Sequence, residues 1–502
     1  MKIPNEVKEI IKKLEKKGFK ANPVGGCVRD FLLNQKPKDW DITTNAKPED
    51  ITNIFENYFI NNEFGTVTIL TESEDPALKK IEITPYRTEK EYTDNRHPDK
   101  VEWTSSIEED LKRRDFTINA MAFDIEESKE KEKIIDKDKL IIDDLVIKII
   151  DPFGGKKDLK KKIVRTVGDS QERFKEDALR LLRAVRFSTV LDFKIEEKTL
   201  KAVKEDAEWL ESISKERIRD EFLKIINSKN AAAGIRKLRE TNLLQYVIPE
   251  FEETYNVDQN KHHIYNVYEH LVRSLDYAAK NNYNTEIRIA ALLHDIAKPQ
   301  TKEGKGEEAT FYNHEVVSAE MTEKILKRLK FPTKEIKKIK KLVRWHLFYY
   351  NVDEVGKSAV RRLVRKVGPK NTGDLIKLRM ADRIGSGVPK ARPYKLRHLE
   401  YMIEKIKQDP ISTDKLKLSG NDIMEVLDIE PGPKVGHFLT ILLKNVLDNP
   451  KLNKIEILEK EIEKIGKLSD KKIEKKAKKA REKIEKVKEK RDKMKKEKYW
   501  LK

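Results

Sequence analysis

Cysteine is almost absent from this chain of 502 residues, which contains Cys27 alone. A single cysteine excludes an intrachain disulfide and is typical of a reducing cytoplasm. No run of 18 apolar residues occurs, so the sequence predicts no membrane-spanning helix. Residues 1–18 lack the apolar core of a signal peptide and show the periodicity of an amphipathic helix. We therefore expect a cytoplasmic protein without a membrane partner.

Acidic residues are outnumbered by basic ones, with 88 Asp and Glu against 107 Lys and Arg and a net charge of +19. Such an excess favours a polyanionic partner. Residues 471–502 contain 17 Lys or Arg and only 6 Asp or Glu, so more than half of the excess lies there. Charge alone is therefore poor evidence that the rest of the chain binds RNA.

The first candidate active site lies within residues 24–42, which combine Gly25-Gly26 with the pair Asp39 and Asp41. Side chains on a strand alternate between faces, so both carboxylates should share one face and hold divalent cations together. The glycines let the backbone approach a ligand closely, and the free amides of a following helix could hold phosphate oxygens. Phosphates beside two carboxylates predict Mg²⁺ at a two-metal site.

Two longer motifs follow: residues 113–121 are RRDFTINAM, and residues 176–187 are EDALRLLRAVRF. In the second motif acid and base recur every three residues, which predicts that Asp177, Arg180 and Arg183 lie along one helix face. The complementary face is apolar, which leaves the row of arginines with too few acids to neutralise it. Such a row favours binding of an anion.

Together with GGCVRD at 25–30 and Asp39-Trp40-Asp41, these motifs resemble the class II tRNA nucleotidyltransferases, which include bacterial CCA-adding enzymes and poly(A) polymerase relatives. The resemblance implies an α+β fold, with a small mixed or antiparallel palm sheet before an all-α neck and body. It also implies template-independent transfer of CMP and AMP from CTP and ATP to the 3′ end of tRNA. Mg²⁺ on Asp39 and Asp41 would activate the terminal hydroxyl of the tRNA.

The resemblance also implies which residues bind the nucleotide. Asp177 and Arg180 would read the base edge, because Arg is a bidentate donor and Asp an acceptor. Arg114 is our preferred triphosphate contact, whereas Arg183 and Arg186 would support phosphate or local structure. The remaining nucleotide-binding candidates belong to the first two motifs: Gly25, Gly26, Arg29, Asp115 and Asn119.

Local patterns predict the elements around these motifs. Glu82 lies between Ile81 and Ile83 on a predicted strand, so it faces either solvent or, as a third catalytic carboxylate, the aspartate pair. Residues 86–99 predict a mobile loop, which in the resembling family helps to switch the site between nucleotides. Residues 126–140 predict a lengthened hairpin at the sheet edge, and residues 216–222 predict a charged helix that caps the site. Residues 216–222 also resemble the fifth motif of the family, and that resemblance implies a role in stabilising the neck. Strands are predicted over 21–26, 40–43, 65–70 and 80–85. Helices are predicted over 1–18 and 29–33, and a further helix is predicted to begin at 47.

A second candidate site occupies residues 262–382. The segment contains the motif ALLHDIAK at 291–298, and along the whole segment a histidine is followed by His-Asp and then by a distant aspartate. This motif and this order resemble the HD metal-dependent phosphohydrolase domain, which is an all-α domain. Imidazole with carboxylate suits Mn, Fe, Ni, Co or Mg better than a thiolate zinc site. The resemblance implies metal binding and, as a further hypothesis, hydrolysis of 2′,3′-cyclic or 2′-phosphates. The candidate ligands are His270, His294, Asp295, His314, His346 and Asp382.

The last part of the chain is rich in lysine. Residues 455–502 are strong helix formers, but apolar residues are sparse after 475, so we expect a solvated basic helix or a partly disordered tail. An RNA-backbone clamp is the alternative. The sequence thus predicts a transferase head, a helical neck, an HD domain, a tRNA-binding body and a basic tail, at residues 1–155, 156–260, 261–400, 401–460 and 461–502.

Two alternative functions stay open. An A-adding or poly(A)-adding relative is disfavoured by EFGTV at 63–67, which looks like the CCA-adding version of its strand, and by the presence of the 86–99 loop. A protein of another class, an RNA-binding HD phosphohydrolase with an inactive head, is disfavoured by the intact Asp39 and Asp41. The oligomeric state cannot be inferred from these patterns.

Overall fold

The computed structural model describes residues 2–60, 65–90, 100–127, 139–142, 145–259, 264–304, 308–407 and 413–501. The chain divides into two compact units. The first unit comprises Met1–Arg344 and Ala381–Val388, and the second comprises Trp345–Met380 and Pro389–Lys502. Among the described residues, no helix is both long and apolar enough to cross a membrane.

The first unit begins with a five-stranded mixed sheet. Its strands are β1 (Ala21–Pro23), β2 (Trp40–Thr44), β3 (Tyr58–Ile60), β4 (Val67–Leu70) and β5 (Lys80–Pro85), in the order β1-β2-β5-β4-β3. β2 and β5 are parallel, and the other neighbouring pairs are antiparallel. The accompanying helices are α1 (Asn5–Glu15), α2 (Gly26–Leu32) and α3 (Pro48–Ile54). The small mixed sheet is confirmed, but the sequence did not predict β3.

Two smaller sheets complete the head, in which α4 is Ile107–Lys112. β6 (Arg87–Lys90) pairs with β7 (Lys100–Trp103), so the prediction of a loop from residue 86 is wrong for residues 87–90. Residues 91–99 of that loop lie outside the described residues. The other sheet contains β8 (Ala122–Glu127), β9 (Lys139–Ile142) and β10 (Leu145–Ile150) in the order β8-β10-β9. β10 lies between β8 and β9. The hairpin predicted for residues 126–140 falls mostly on residues 128–138, which lie outside the described residues.

Helices dominate the rest of the first unit. The neck comprises α5 (Gly155–Lys161), β11 (Ile163–Val164), α6 (Ser170–Glu176), α7 (Leu179–Leu191), β12 (Lys194–Ile195), α8 (Glu197–Glu205), α9 (Lys215–Ile226), α10 (Ala231–Glu240), α11 (Leu244–Val247) and α12 (Pro249–Glu252). Next come α13 (Val267–Lys280), α14 (Thr285–Leu293), β13 (Lys302–Glu303), β14 (Thr310–Phe311), α15 (His314–Arg328) and α16 (Thr333–Arg344). The predicted helix over 216–222 lies within α9.

The second unit is helical and has two apolar clusters. Its helices are α17 (Lys357–Val367), α18 (Thr372–Gly385, of which 381–385 belong to the first unit), α19 (Tyr394–Lys407), α20 (Gly420–Leu427), α21 (Pro433–Asp448), α22 (Ile455–Gly466) and α23 (Asp470–Lys498). One cluster joins α20 to α23. The other joins α17, α18 and α19 to residues 499 and 501.

The long basic helix α23 is packed onto the second unit. Its residues Ile473, Ala477, Ala480 and Ile484 are buried in the same cluster as Phe438 of α21. These four residues recur at helical spacing and form one apolar stripe. The basic helix of the prediction is present and most of its charged residues are exposed to solvent. The prediction did not include the docking of this helix, for which a few small apolar residues are enough.

Candidate active site and candidate metal centre

Three carboxylates gather at β2 and β5. Asp41 and Glu82 are register partners on these parallel strands, so their side chains leave the same face of the sheet. Asp39 directly precedes β2. Burial raises the pKa of Asp41 to about 7, with Asp39 and Glu82 adding repulsion and Arg114 opposing it. The sequence left open whether Glu82 faces solvent or the aspartate pair. In the structure Glu82 is exposed to solvent and also lies beside Asp41, so the two alternatives do not exclude each other.

This cluster fits a divalent cation. Carboxylate oxygens are the hard ligands that Mg²⁺ prefers, and a cation would relieve the mutual repulsion that adds to burial in raising the pKa of Asp41. No thiolate competes with the carboxylates, because Cys27 is buried against the backbone oxygens of Val24 and Asp41. Burial, reinforced by Asp41, raises the pKa of the Cys27 thiol to about 12, which keeps this thiol protonated.

The glycine turn lies against an arginine. Gly25 has φ 78°, a conformation that side chains rarely adopt, and a Cβ there would lie 2.9 Å from Nη1 of Arg114. Nη2 of Arg114 is 3.4 Å from Oδ2 of Asp110. The Nε of Arg114 is buried and has no hydrogen-bond partner within the described part of the chain. The turn therefore leaves room for an arginine that retains a donor. Gly26 follows as the first residue of α2.

A chain of polar contacts connects α2 with the neck helix α7. Arg29 donates to Oδ1 of Asn119 at 2.7 Å, and Asn119 donates to Asp115 at 3.2 Å. The Nε of Arg183 donates to Oδ2 of Asp115 at 2.8 Å. Burial alone would raise the pKa of Asp115, yet Arg183 holds it well below its usual range. Asp115 and Asn119 therefore use their polar atoms inside the protein, which indicates that they position neighbouring groups.

Asp177 does not lie on the same helix as the arginines that follow it. Helix α6 ends at Glu176, and Asp177 is extended, with φ −146° and ψ 102°. Its Oδ1 accepts from the amide of Leu179 at 3.1 Å, and its Oδ2 accepts from Arg217 at 2.8 Å. The predicted single helix face is therefore wrong for Asp177, because its side chain caps the start of α7 instead of continuing the helix.

The row of arginines on α7 is neutralised by acids. Arg180 pairs with Glu176, Arg183 with Asp115, and Arg186 with Glu221 of α9 at 2.7 Å. Arg180 also donates to the backbone oxygens of Arg173 and Arg113, at 3.0 and 3.2 Å. The expectation of too few acids is wrong, because two of the three acids come from distant parts of the sequence.

Arg217 has a larger role than its sequence context predicts. The pattern predicted a charged helix that caps the site but gave Arg217 no partner, and its guanidinium holds the candidate base-reading carboxylate of Asp177. Its Nη1 is buried and has no hydrogen-bond partner among the described residues. The sole signal in the sequence was an arginine in a charged helix, which did not identify Asp177 as its partner.

The candidate metal centre lies between α13, α14 and the end of α18. Nε2 of His270 is 2.9 Å from Nε2 of His294, 3.2 Å from Oδ2 of Asp295 and 3.6 Å from Oδ1 of Asp382. Nε2 of His294 is 3.4 Å from Asp295 and 3.7 Å from Asp382. All four residues are buried. Ligand atoms around one divalent ion stand roughly 3 Å apart, so this donor set fits such an ion.

The outer hydrogen bonds orient two imidazoles for coordination. Nδ1 of His294 is 3.0 Å from the carbonyl of Ala291, and Nδ1 of His314 is 2.7 Å from that of Phe311. An Nδ1–H donated to a carbonyl leaves Nε2 as the ligand atom. Nε2 of His314 lies 3.2 Å from Oδ1 of Asp295, the second oxygen of the carboxylate whose Oδ2 lies near His270 and His294. His346 belongs to the second unit and remains a prediction as a ligand.

Three family models match the chain. "Poly A polymerase head domain" matches residues 22–165, "Probable RNA and SrmB- binding site of polymerase A" matches 192–254, and "HD domain" matches 267–384. The first two match the head and neck, and the third includes the four ligand residues of the candidate metal centre.

The chain is similar to curated proteins over nearly its whole length. It is 34% identical over 477 residues to the CCA-adding enzyme of Ligilactobacillus salivarius, covering 94% of this chain and 99% of that protein. It is 32% identical to the CCA-adding enzyme of Enterococcus faecalis, covering 91% and 95%. Among solved structures, the Bacillus stearothermophilus CCA-adding enzyme in complex with CTP matches with TM-score 0.57 and 26% identity, covering 92% of this chain and 98% of that one.

Proposed function

The chain belongs to the family of CCA-adding enzymes, and we propose on that basis that its head builds the CCA end of tRNA by transferring CMP and AMP from CTP and ATP. The observation that carries this proposal is the carboxylate cluster of Asp39, Asp41 and Glu82 beside Arg114. It combines a place for divalent cations with a donor for a triphosphate in one part of the head.

Asp39, Asp41 and Glu82 would hold Mg²⁺. Bound Mg²⁺ supplies charge neutralisation to the α-phosphate under attack and to the departing pyrophosphate. Arg114 contributes its buried Nε and the Nη1 that faces Gly25, so it is placed to bind triphosphate oxygens. A covalent enzyme intermediate is not needed, and the buried Cys27 thiol stays protonated, which prevents it from acting as a nucleophile.

Base selection is assigned to Asp177 and Arg180. Arg217 and the amide of Leu179 fix the carboxylate of Asp177, while Glu176 and two backbone oxygens fix the guanidinium of Arg180. A carboxylate and a guanidinium held in this way present an acceptor and donors to the edge of a base. They would thus replace a nucleic-acid template, and Arg183 and Arg186 would position the helix that carries Arg180.

The test uses tRNA transcripts that end at the discriminator base, at C and at CC, each incubated with CTP or ATP alone. The proposal predicts that CMP is added to the first two transcripts and AMP to the third. Addition of AMP to the third transcript without any addition of CMP would instead indicate an A-adding enzyme, and addition of AMP to every transcript would indicate a poly(A)-adding enzyme. Failure of all three transcripts with Mg²⁺ present would contradict the proposal.

A second activity is supported by the buried donor set of His270, His294, Asp295 and Asp382. We propose that these residues hold Mn, Fe, Ni, Co or Mg, with His314 on the other oxygen of Asp295. A divalent metal supplies Lewis-acid activation for phosphoester hydrolysis. Lys298, 2.7 Å from Oδ2 of Asp295, fixes that carboxylate and partly neutralises it.

This second proposal is tested by metal analysis and by hydrolysis of a 2′,3′-cyclic nucleotide. The purified chain should retain a divalent metal, and His294→Ala should lose both the metal and the hydrolysis. The partly buried His437 offers a matched control, since His437→Ala removes an imidazole outside the donor set. A metal-free wild type, or a His294→Ala variant that hydrolyses the ester normally, would contradict the proposal.

A further inference from the structure

Trp500 is exposed in an unusual backbone conformation. It follows the end of α23 with φ 50°, in the left-handed region that bulky side chains rarely adopt. Its side chain is 73% exposed. The amide of Trp500 donates to the carbonyl of Glu497, and that of Leu501 donates to the carbonyl of Lys496. This pattern is a Schellman ending, in which the left-handed position is normally glycine.

The neighbours of Trp500 fix this conformation. Tyr499 and Leu501 are 9% and 8% exposed and belong to the apolar cluster of α17, α18 and α19. The hydroxyl of Tyr499 donates to Glu404, which also pairs with Lys498. With both neighbours anchored, the indole of Trp500 is held outward, and a glycine would satisfy the same backbone more easily. The packing of the second unit therefore does not explain why a tryptophan stands here.

A guanidinium lies beside this indole. The Cζ of Arg397 is 5.9 Å from the ring centre of Trp500 and 6.0 Å from that of Tyr394, which is 44% exposed. The Nε of Arg397 is buried and has no hydrogen-bond partner within the described part of the chain. Two exposed rings flanking an arginine provide π-faces next to a cation, which is how proteins stack an unpaired nucleobase beside its phosphate.

We propose that Trp500, Arg397 and Tyr394 form a stacking site for an unpaired base of the tRNA substrate, outside the transferase and metal sites. The inference rests on the proposed function for the identity of the RNA. The last turn of α23 adds Lys495 and Lys496, which complement the phosphate backbone. A membrane surface also accepts tryptophan beside lysine, but a planar guanidinium between two rings matches a stacked base better.

The central variant is Trp500→Gly, which removes the ring and places glycine where the backbone favours it. We expect its melting temperature to equal or exceed that of the wild type, whereas its Kd for a tRNA transcript without CCA should rise about tenfold. Trp500→Phe should retain most of the affinity because it keeps an aromatic face. Arg397→Gln should weaken binding and also reduce its salt dependence, because it removes a charge.

Tyr349→Ala is the matched control, since Tyr349 is another exposed aromatic residue of the second unit, at 74%. It should leave the Kd unchanged. An unchanged Kd for Trp500→Gly, with CMP addition intact in the wild type, would overturn the stacking site alone; failure of the wild type to add CMP would overturn the proposed function. Sedimentation with anionic phospholipid vesicles that depends on Trp500 would overturn the assignment to RNA.

Discussion

At the residue scale, the transferase head brings together three carboxylates that repel one another. It also places an arginine so close to Gly25 that no side chain would fit there. Burial, with repulsion from Asp39 and Glu82, raises the pKa of Asp41, while Arg114 lies nearby without a full set of partners. Gly25 permits this arrangement because any side chain there would meet the guanidinium. The carboxylates are therefore placed to bind cations, and Arg114 is placed to bind a triphosphate.

Gly25→Ala should reduce kcat/KM for CTP and ATP alike by about 100-fold or more, because the new methyl group would displace Arg114. Steady-state incorporation into tRNA measures this effect. Gly18→Ala is the matched control: Gly18 has φ 86° and open space around it, so it reports the backbone strain alone. Equal losses in both variants would show that strain, and not the position of Arg114, is responsible.

Asp206 should make the protein less stable as pH rises. Burial and the nearby Glu205, Asp169 and Glu208 raise its pKa to about 6, and its buried Oδ2 has no hydrogen-bond partner among the described residues. A raised carboxyl pKa means that the folded state favours the protonated form, so stability is lost between about pH 4 and pH 6. Asp206→Asn should melt at a higher temperature than the wild type at pH 8 and at a similar one near pH 4. Thermal unfolding at both pH values tests this; a lower melting temperature at pH 8 would contradict it.

At the scale of elements, α7 is the helix that joins the head to the neck. Arg183 reaches Asp115 of the head, and Arg186 reaches Glu221 of α9. Each of the three arginines from Arg180 to Arg186 thus pairs with an acidic residue, and ion pairs connect α7 both to the head and to α9. Because Arg180 is a candidate base reader, these ion pairs determine where it stands.

Glu221→Gln should destabilise the protein by about 3 kcal/mol, because it leaves the guanidinium of Arg186 buried without its acid. Urea unfolding followed by circular dichroism measures the change. Glu216→Gln on the same helix is the control, since Glu216 is exposed and its loss should alter stability little. A loss below about 0.5 kcal/mol for Glu221→Gln would contradict a structural role for the pair.

The sequence predicted these elements better than their contacts. The aspartates at the start of β2, the arginines of α7 and the histidines of α13 and of the end of α14 are local patterns, so the sequence alone could single them out as candidates. The pairing of Arg183 with Asp115, 68 residues away, has no local signal, and the docking of α23 was missed because its buried stripe includes small alanines. Tertiary ion pairs and sparse apolar stripes are fixed only when the whole fold is formed.

At the scale of the whole molecule, charge is distributed unevenly. Helix α23 carries 16 Lys or Arg and 7 Asp or Glu, and most of these side chains are exposed on the faces that do not pack against α21. This helix therefore contributes +9 of the net charge of +19 and is fixed in place by the second unit. A fixed row of cations is suited to the phosphate backbone of tRNA.

Replacing Lys475, Lys476 and Lys479 by Gln should weaken tRNA binding and lower the slope of log Kd against log salt by about 1 for each of these lysines that neutralises a phosphate. Filter binding across a salt series measures this slope. The exposed Lys334, Lys337 and Lys341 of α16 provide a control triple of equal charge, which should leave the slope nearly unchanged. Equal effects of both triples would show that net charge alone governs binding.

The most direct test of the proposed chemistry is single-turnover addition of CMP to a tRNA transcript lacking CCA, with Mg²⁺, by the Asp41→Asn variant. Glu74→Gln, which neutralises an exposed acid elsewhere in the head, serves as the control. Since Asp41 is the half-buried member of the carboxylate cluster, we expect a rate at least about 1,000-fold lower for Asp41→Asn and a normal rate for Glu74→Gln. A folded Asp41→Asn protein that adds CMP at the wild-type rate would contradict the assignment of this cluster as the catalytic metal site.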